Sequence, residues 1–146
     1  MIRNDREYQE ALRRLKNDQG FIVEQRRALE AVDLRPDEVE RAMGPALSFH
    51  AQLVEEVAWY ERVLRRDFET IHSLSAIGRL LIAARIANGL TQQDLAERLG
   101  VSPAQVSRDE RNEYHGITVE RAQLILDRLG ESLTARLDEK PLALVV

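Results

Sequence analysis

Apolar residues recur at helical spacing near the start of the chain. Residues 5–17 carry one apolar stripe, which predicts a helix. A polar segment ending in Gly20 predicts that this helix stops there, and a second helical pattern covers residues 24–32. The short apolar run at 21–23 is ambiguous in type.

The longest periodic segment covers residues 47–71. Before it, Pro36 and the acids after it predict the start of a short helix, which Gly44-Pro45 is predicted to break. In the long segment an apolar residue returns every three or four positions, at Leu53, Val57, Tyr60, Leu64, Phe68 and Ile71. So narrow a stripe suits packing against another helix. That helix belongs either to the same chain, as a hairpin, or to a second copy, as a dimer seam, and the pattern fits both. A linker is predicted at 72–75.

A helix is predicted over residues 76–87, and two further helices joined by a tight turn follow it. Thr91 with Asp94 predicts a capped start for the first of these two. Gly100 marks the turn, because a positive φ is easy only for glycine, and Val101 is predicted to plug the turn into the core. The start of the next helix has the residues of a helix cap, Ser102, Pro103 and Gln105.

Another helix is predicted to begin after Thr118, which caps it. Its inner face is predicted to consist of Val119, Ala122, Ile125, Leu126 and Leu129. Residues 132–137 predict a further short helix, and the apolar segment 141–146 fits an edge strand, a partner-binding segment or a frayed end. The chain is therefore divided into a helical dimerisation or partner domain, a helix-turn-helix domain and an apolar tail, at residues 1–75, 76–137 and 138–146.

Composition favours an all-α fold. Hydrophobic residues make up 44% and charged residues 32%, and only 7 Gly and 4 Pro interrupt the helix formers. The absence of cysteine excludes disulfides and thiolate metal sites and fits a cytoplasmic protein. We expect no signal peptide and no membrane span, because no apolar run approaches the roughly 20 residues that a bilayer requires. The net charge of −4 means that any attraction for DNA must come from a local basic cluster.

No motif indicates an enzyme. The three histidines, His50, His72 and His115, are isolated and lack metal-ligand spacing. A phosphate-binding glycine loop and a Ser/His/Asp arrangement are both missing. We therefore expect no catalytic residues, no metal and no cofactor.

The run GLTQQDLAERLGVS, from Gly89 to Ser102, resembles the XRE, or lambda-repressor-like, helix-turn-helix family. The similarity extends over residues 76–137 and implies both the fold of that domain and DNA binding. Residues 1–8 and 52–61 resemble, less specifically, a helical extension that precedes such domains in some regulators, including antitoxin-like ones.

The resemblance implies roles for individual residues. Gln92 would contact a DNA phosphate at the start of the second helix of the domain. The start of the recognition helix would be lined by Pro103, Ala104, Gln105, Ser107 and Arg108. Of these, Ala104 suits a thymine methyl, Gln105 suits adenine and Arg108 suits guanine or a phosphate. Contacts near the DNA backbone would come from Arg111, Asn112, Tyr114 and His115, with Arg79 and Arg85 as further candidates.

Asp109 departs from the family pattern, which usually has an apolar or aromatic residue there. Since a buried unpaired carboxylate is costly, we expect Asp109 to pair with an arginine, or the helix to be rotated or short, and DNA binding to be weakened. Asn112 stands where a glycine is common and is expected to adopt the left-handed conformation.

Three functions fit these patterns. The first is a DNA-binding transcriptional repressor of its own operon, acting as a homodimer on half-sites about 34 Å apart. The second is an antitoxin-like protein that neutralises a partner toxin. The third is an interaction protein that kept the fold without DNA binding.

Overall fold

The computed structural model describes residues 1–139, which form six α-helices and no strand. In chain order the helices are α1 Asp5–Glu30, α2 Pro36–Leu64, α3 Ile77–Ala87, α4 Gln92–Leu99, α5 Pro103–Arg111 and α6 Val119–Leu129, with a 3₁₀ turn at Leu74–Ala76 before α3. None of these helices is long and apolar enough to cross a membrane. The all-α prediction is confirmed. The predicted tail at 141–146 lies outside the described residues.

The first helix does not stop at Gly20. α1 continues through Gly20 and the apolar run after it, so the two predicted helices are one. A single glycine costs a helix only about 1 kcal/mol, and packing along α2 outweighs that cost. The helix ends instead before Asp33, which adopts the left-handed φ of 58°.

Gly44-Pro45 does not break the second helix either. Pro45 lies inside α2 and deprives it of one backbone hydrogen bond. Residues before the proline stay packed, since Val39 and Met43 are both buried against the hairpin interior. The prediction also extends this helix too far at its C-terminal end. α2 stops at Leu64, and Phe68 lies in the following loop.

α1 and α2 form an antiparallel hairpin within one chain. Tyr8 stacks on Tyr60 with 5.1 Å between ring centroids, and its hydroxyl donates to Glu61 at 2.7 Å. At the opposite end, Arg26 pairs with Glu40. Part of the apolar stripe of α2 therefore packs against α1 of the same chain.

The base of this hairpin shares a core with the C-terminal helices. Trp59, Tyr60 and Val63 of α2 are buried in one cluster with Leu81 and Ile82 of α3, both of which are fully buried. α3 contacts α2 on one side and α6 on the other. The far end of the hairpin has no part in this core and depends on contacts between its own two helices.

The inner face predicted for α6 is confirmed with one exception. Ala122, Ile125, Leu126 and Leu129 are buried, whereas Val119, the first residue of the helix, is 76% exposed. Residues 132–137, predicted as a short helix, have no regular secondary structure.

Candidate nucleic-acid interface

α4 begins with the predicted capping box. The hydroxyl of Thr91 accepts from the backbone N–H of Asp94 at 3.0 Å, and the carboxylate of Asp94 accepts from the backbone N–H of Thr91 at 2.8 Å. The bond from the Thr91 N–H lowers the pKa of Asp94 below its ordinary value. Two of the unsatisfied N–H groups at this helix end are thus paired.

The turn between α4 and α5 depends on Gly100. Its φ of 68° is left-handed, as predicted, and Ala96, fully buried on α4, accepts from the N–H of Val101 at 3.0 Å. Val101 itself is 37% exposed, so the prediction that it plugs the core is wrong. Ser102 caps α5 by accepting from the backbone N–H of Gln105 at 3.2 Å. The side chain of Gln105 does not close a capping box, since it points along the helix to Asp109.

α5 turns its first residues to solvent. We call Pro103, Ala104, Gln105, Ser107 and Arg108 the outer face of α5. Pro103, Ala104 and Arg108 are exposed, and Gln105 and Ser107 are half-buried. On the opposite side, Val106 and Glu110 are buried and fix the helix to the core. A cleft of about 570 Å³ lies between the N-terminal segment and Pro103, so that segment stands beside the outer face and does not cover it.

A buried polar network holds α5 to α3 and explains why Arg85 is not on the surface. Arg85 is only 2% exposed and pairs with Glu110, which is equally buried. Its guanidinium also donates to the carbonyls of Leu90 at 2.7 Å and Arg3 at 3.0 Å. The expectation that Arg85 contacts DNA phosphate is therefore wrong, because its donors are already bonded to groups inside the protein.

Gln92 joins the same network. Its side-chain amide donates to Glu110 at 2.6 Å. Gln92 is half-buried at the first position of α4. The N–H of Asp94 in this first turn is bonded to Thr91, whereas the N–H groups of Gln92 and Gln93 have no acceptor within the helix. A phosphate at this end would meet those backbone groups and the rest of the Gln92 amide.

The residues at and beyond the C-terminal end of α5 divide into exposed and buried ones. Arg111, Asn112 and His115 are exposed, as a backbone contact requires. Tyr114 is 4% exposed, and burial raises its pKa, so its ring belongs to the core and the structure gives it no access to DNA. Asn112 has a φ of −90°, contrary to expectation; the left-handed residues are Glu113 and Tyr114.

Arg79 is also engaged within the protein. Its guanidinium pairs with Glu69 at 3.0 Å and Glu113 at 3.8 Å, and it lies 5.5 Å from the ring of Trp59. These contacts tie α3 to the loops around it, which leaves Arg79 a poor candidate for a phosphate contact.

Asp109 is paired with an arginine, as one of the sequence alternatives expected. Its carboxylate accepts from Arg121 of α6 at 2.6 Å and from the amide of Gln105 at 3.0 Å. α5 is regular through this position and ends at Arg111. The sequence analysis missed Arg121, for which the only signal was the need of Asp109 for a cation.

The fold and this surface together define an all-helical protein with a helix-turn-helix unit whose second helix presents its start to solvent. Residues 81–135 match the family model described as "Helix-turn-helix", so the C-terminal part of the chain is a helix-turn-helix domain of the XRE type. This is a family of DNA-binding regulators, which are typically not enzymes. Searches of curated proteins and of solved structures gave no match.

Proposed function

We propose that this protein is a sequence-specific transcriptional regulator that acts in the cytoplasm as a homodimer and represses its own operon. The observation that carries the proposal is the exposed outer face of α5 within a domain that matches the helix-turn-helix family. A helix presented in this way fits the major groove of B-DNA, where its first turns meet base edges.

The contacts follow from what the outer face offers. Arg108 has donors for guanine or phosphate, Ala104 has a methyl group for thymine, and Pro103 and Ser107 line the same side of the helix. Arg111 and Asn112 are exposed beyond them, toward the DNA backbone, and Gln92 with the start of α4 holds a phosphate. Because the chain carries a net charge of −4, the attraction comes from Arg108 and Arg111 locally.

Binding is tested by selecting duplexes from a randomised pool, followed by gel shifts at two salt concentrations. We expect one enriched sequence and an affinity that falls steeply with salt. Arg108→Ala is expected to weaken the selected site by about 1–3 kcal/mol, whereas Arg128→Ala, an exposed change on α6, leaves it unaltered. If no sequence is enriched and salt has no effect, the protein is an interaction protein on a helix-turn-helix fold.

The homodimer part of the proposal is supported by the hairpin. Phe49 of α2 is 64% exposed and Phe21 of α1 is 61% exposed. The guanidinium of Arg14 lies 5.8 Å from the Phe49 ring, and Phe21 follows Arg14 by two helical turns, so both rings flank the same side of the hairpin. In the proposed dimer, a second copy packs on this side and covers both rings.

Dimerisation is tested by light scattering on the whole chain, whose monomer mass is 16.7 kDa. We expect twice that mass, and a shift to monomer for the double change Phe21→Ser with Phe49→Ser. Val119→Ser is the control, because Val119 is as exposed but lies on α6. A monomeric wild-type chain would contradict the dimer and favour the alternative in which this side of the hairpin binds and neutralises a toxin.

A further inference from the structure

Four side chains form a continuous chain from α6 to the outer face of α5. Arg121 donates to Asp109 at 2.6 Å, and Gln105 donates to the other oxygen of the same carboxylate at 3.0 Å. Arg108 donates to the amide oxygen of Gln105 at 3.0 Å. Two of the side chains expected to meet bases, Gln105 and Arg108, are therefore linked to each other and, through Asp109, to the next helix.

The chemistry of the ends fixes the direction of every link. A guanidinium can only donate hydrogen bonds and an ionised carboxylate can only accept them. The amide of Gln105 lies between one of each, so its nitrogen must face Asp109 and its oxygen must face Arg108. The reversed amide would place two donors together and two acceptors together, and would lose both bonds.

We propose that Asp109, held by Arg121, is a positioning residue that fixes the orientation of the Gln105 amide and of the Arg108 guanidinium, and so determines which base the outer face of α5 prefers. This inference rests on the proposed DNA-binding function. Asp109 itself stands back from the surface, with 17% of its side chain exposed.

The fixed orientation selects a base class. The Gln105 oxygen already accepts from Arg108, while the second amide hydrogen of Gln105 and the remaining donors of Arg108 stay available. The linked pair thus presents mainly donors. Guanine offers two acceptors, O6 and N7, on its major-groove edge, whereas adenine offers one acceptor and one donor. The pair therefore prefers guanine, rather than the adenine that the resemblance implied for Gln105.

Asp109→Asn tests this with almost no change of shape. An asparagine can donate or accept, so it no longer forces the Gln105 amide into one orientation, and it loses the ion pair with Arg121. The control is Asp127→Asn on α6, where Gln123 donates to Asp127 at 2.8 Å with the same spacing of four residues. That pair repeats the hydrogen bond from glutamine to aspartate and has no link to the outer face of α5.

The measurement compares two duplexes. One is the selected duplex, and in the other the guanine that faces Gln105 and Arg108 is replaced by adenine. The quantity measured is the ratio of the two affinities. We expect the wild-type ratio to be about tenfold or more and Asp109→Asn to reduce it about fivefold or more. In a Gln105→Ala background, Asp109→Asn should not change the ratio further. Using a ratio removes the general gain in affinity that follows from deleting a negative charge near DNA.

The outcomes distinguish a failure of the role inferred for Asp109 from a failure of the proposed DNA binding. If the wild type selects a sequence and Asp109→Asn keeps the wild-type ratio while lowering the thermal midpoint, Asp109 is merely structural and the inference is overturned. The same holds if Asp109→Asn acts equally with and without Gln105. If the wild type selects no sequence, the proposed function and this inference fall together.

Discussion

The helical hairpin and the helix-turn-helix domain are stabilised in different ways. In the domain, helices of 8 to 11 residues surround fully buried Leu81, Leu95 and Ile125, and an ion pair between Arg85 and Glu110 is buried among them. The hairpin has helices of 26 and 29 residues with only two layers along most of their length. The domain thus encloses a core of fully buried side chains, while the outer part of the hairpin leaves two aromatic rings, Phe21 and Phe49, more than 60% exposed.

This difference indicates where each region meets its partners. The enclosed core lets α5 keep a polar outer face whose side chains are ordered by bonds to α6. A two-layer hairpin buries less area per residue and gains more from a further layer. Substitutions of matched type in the two regions should therefore have unequal effects on stability.

The largest effect is expected from Glu110→Ala. It would leave the Arg85 guanidinium buried without its carboxylate, which costs about 3–5 kcal/mol. Urea unfolding followed by circular dichroism measures the change, with the exposed Glu97→Ala on α4 as the control. A cost below about 1 kcal/mol would show that water or a rearranged Gln92 compensates for the loss, contrary to the network described above.

A second pair compares the two cores directly. Leu95 in the domain and Met43 in the hairpin are both fully buried. We expect Leu95→Ala to cost about 2–5 kcal/mol and Met43→Ala to lie at or below the lower end of that range, because a two-layer site can collapse around the vacancy. Equal costs in urea unfolding would indicate that the hairpin is as tightly packed as the domain.

How much could be predicted from the sequence also differs between the regions. The first residues of α4, α5 and α6 could be predicted because Thr91, Ser102 and Thr118 act locally. Each accepts a hydrogen bond from the backbone N–H three residues further along. Gly20 and Pro45 are equally local signals, but they were overridden by packing between two long helices. Contacts between distant residues decide such cases, and no local pattern reveals them.

The same distinction holds within the candidate interface. The exposure of Pro103 and Arg108 followed from the family pattern, since it depends on the turn at Gly100. The burial of Tyr114 and Arg85 depends on which chain segments lie over them. The pairing of Asp109 with Arg121 joins two helices, and so the sequence could state the need for a partner without identifying it.

The smallest effects are expected from one substitution made in both regions, glycine to alanine within a helix. At Gly20 an added Cβ meets nothing within 4 Å, so alanine removes the entropic cost of glycine and should stabilise the protein by about 0.5–1 kcal/mol. At Gly78 the same Cβ would lie 1.8 Å from the carbonyl oxygen of Glu113, and α3 must move away from that loop. Gly78→Ala should therefore destabilise by about 1–3 kcal/mol. Thermal unfolding of the two variants side by side tests the opposite signs, and a stabilised Gly78→Ala would mean that α3 and the loop after α5 are not in close contact.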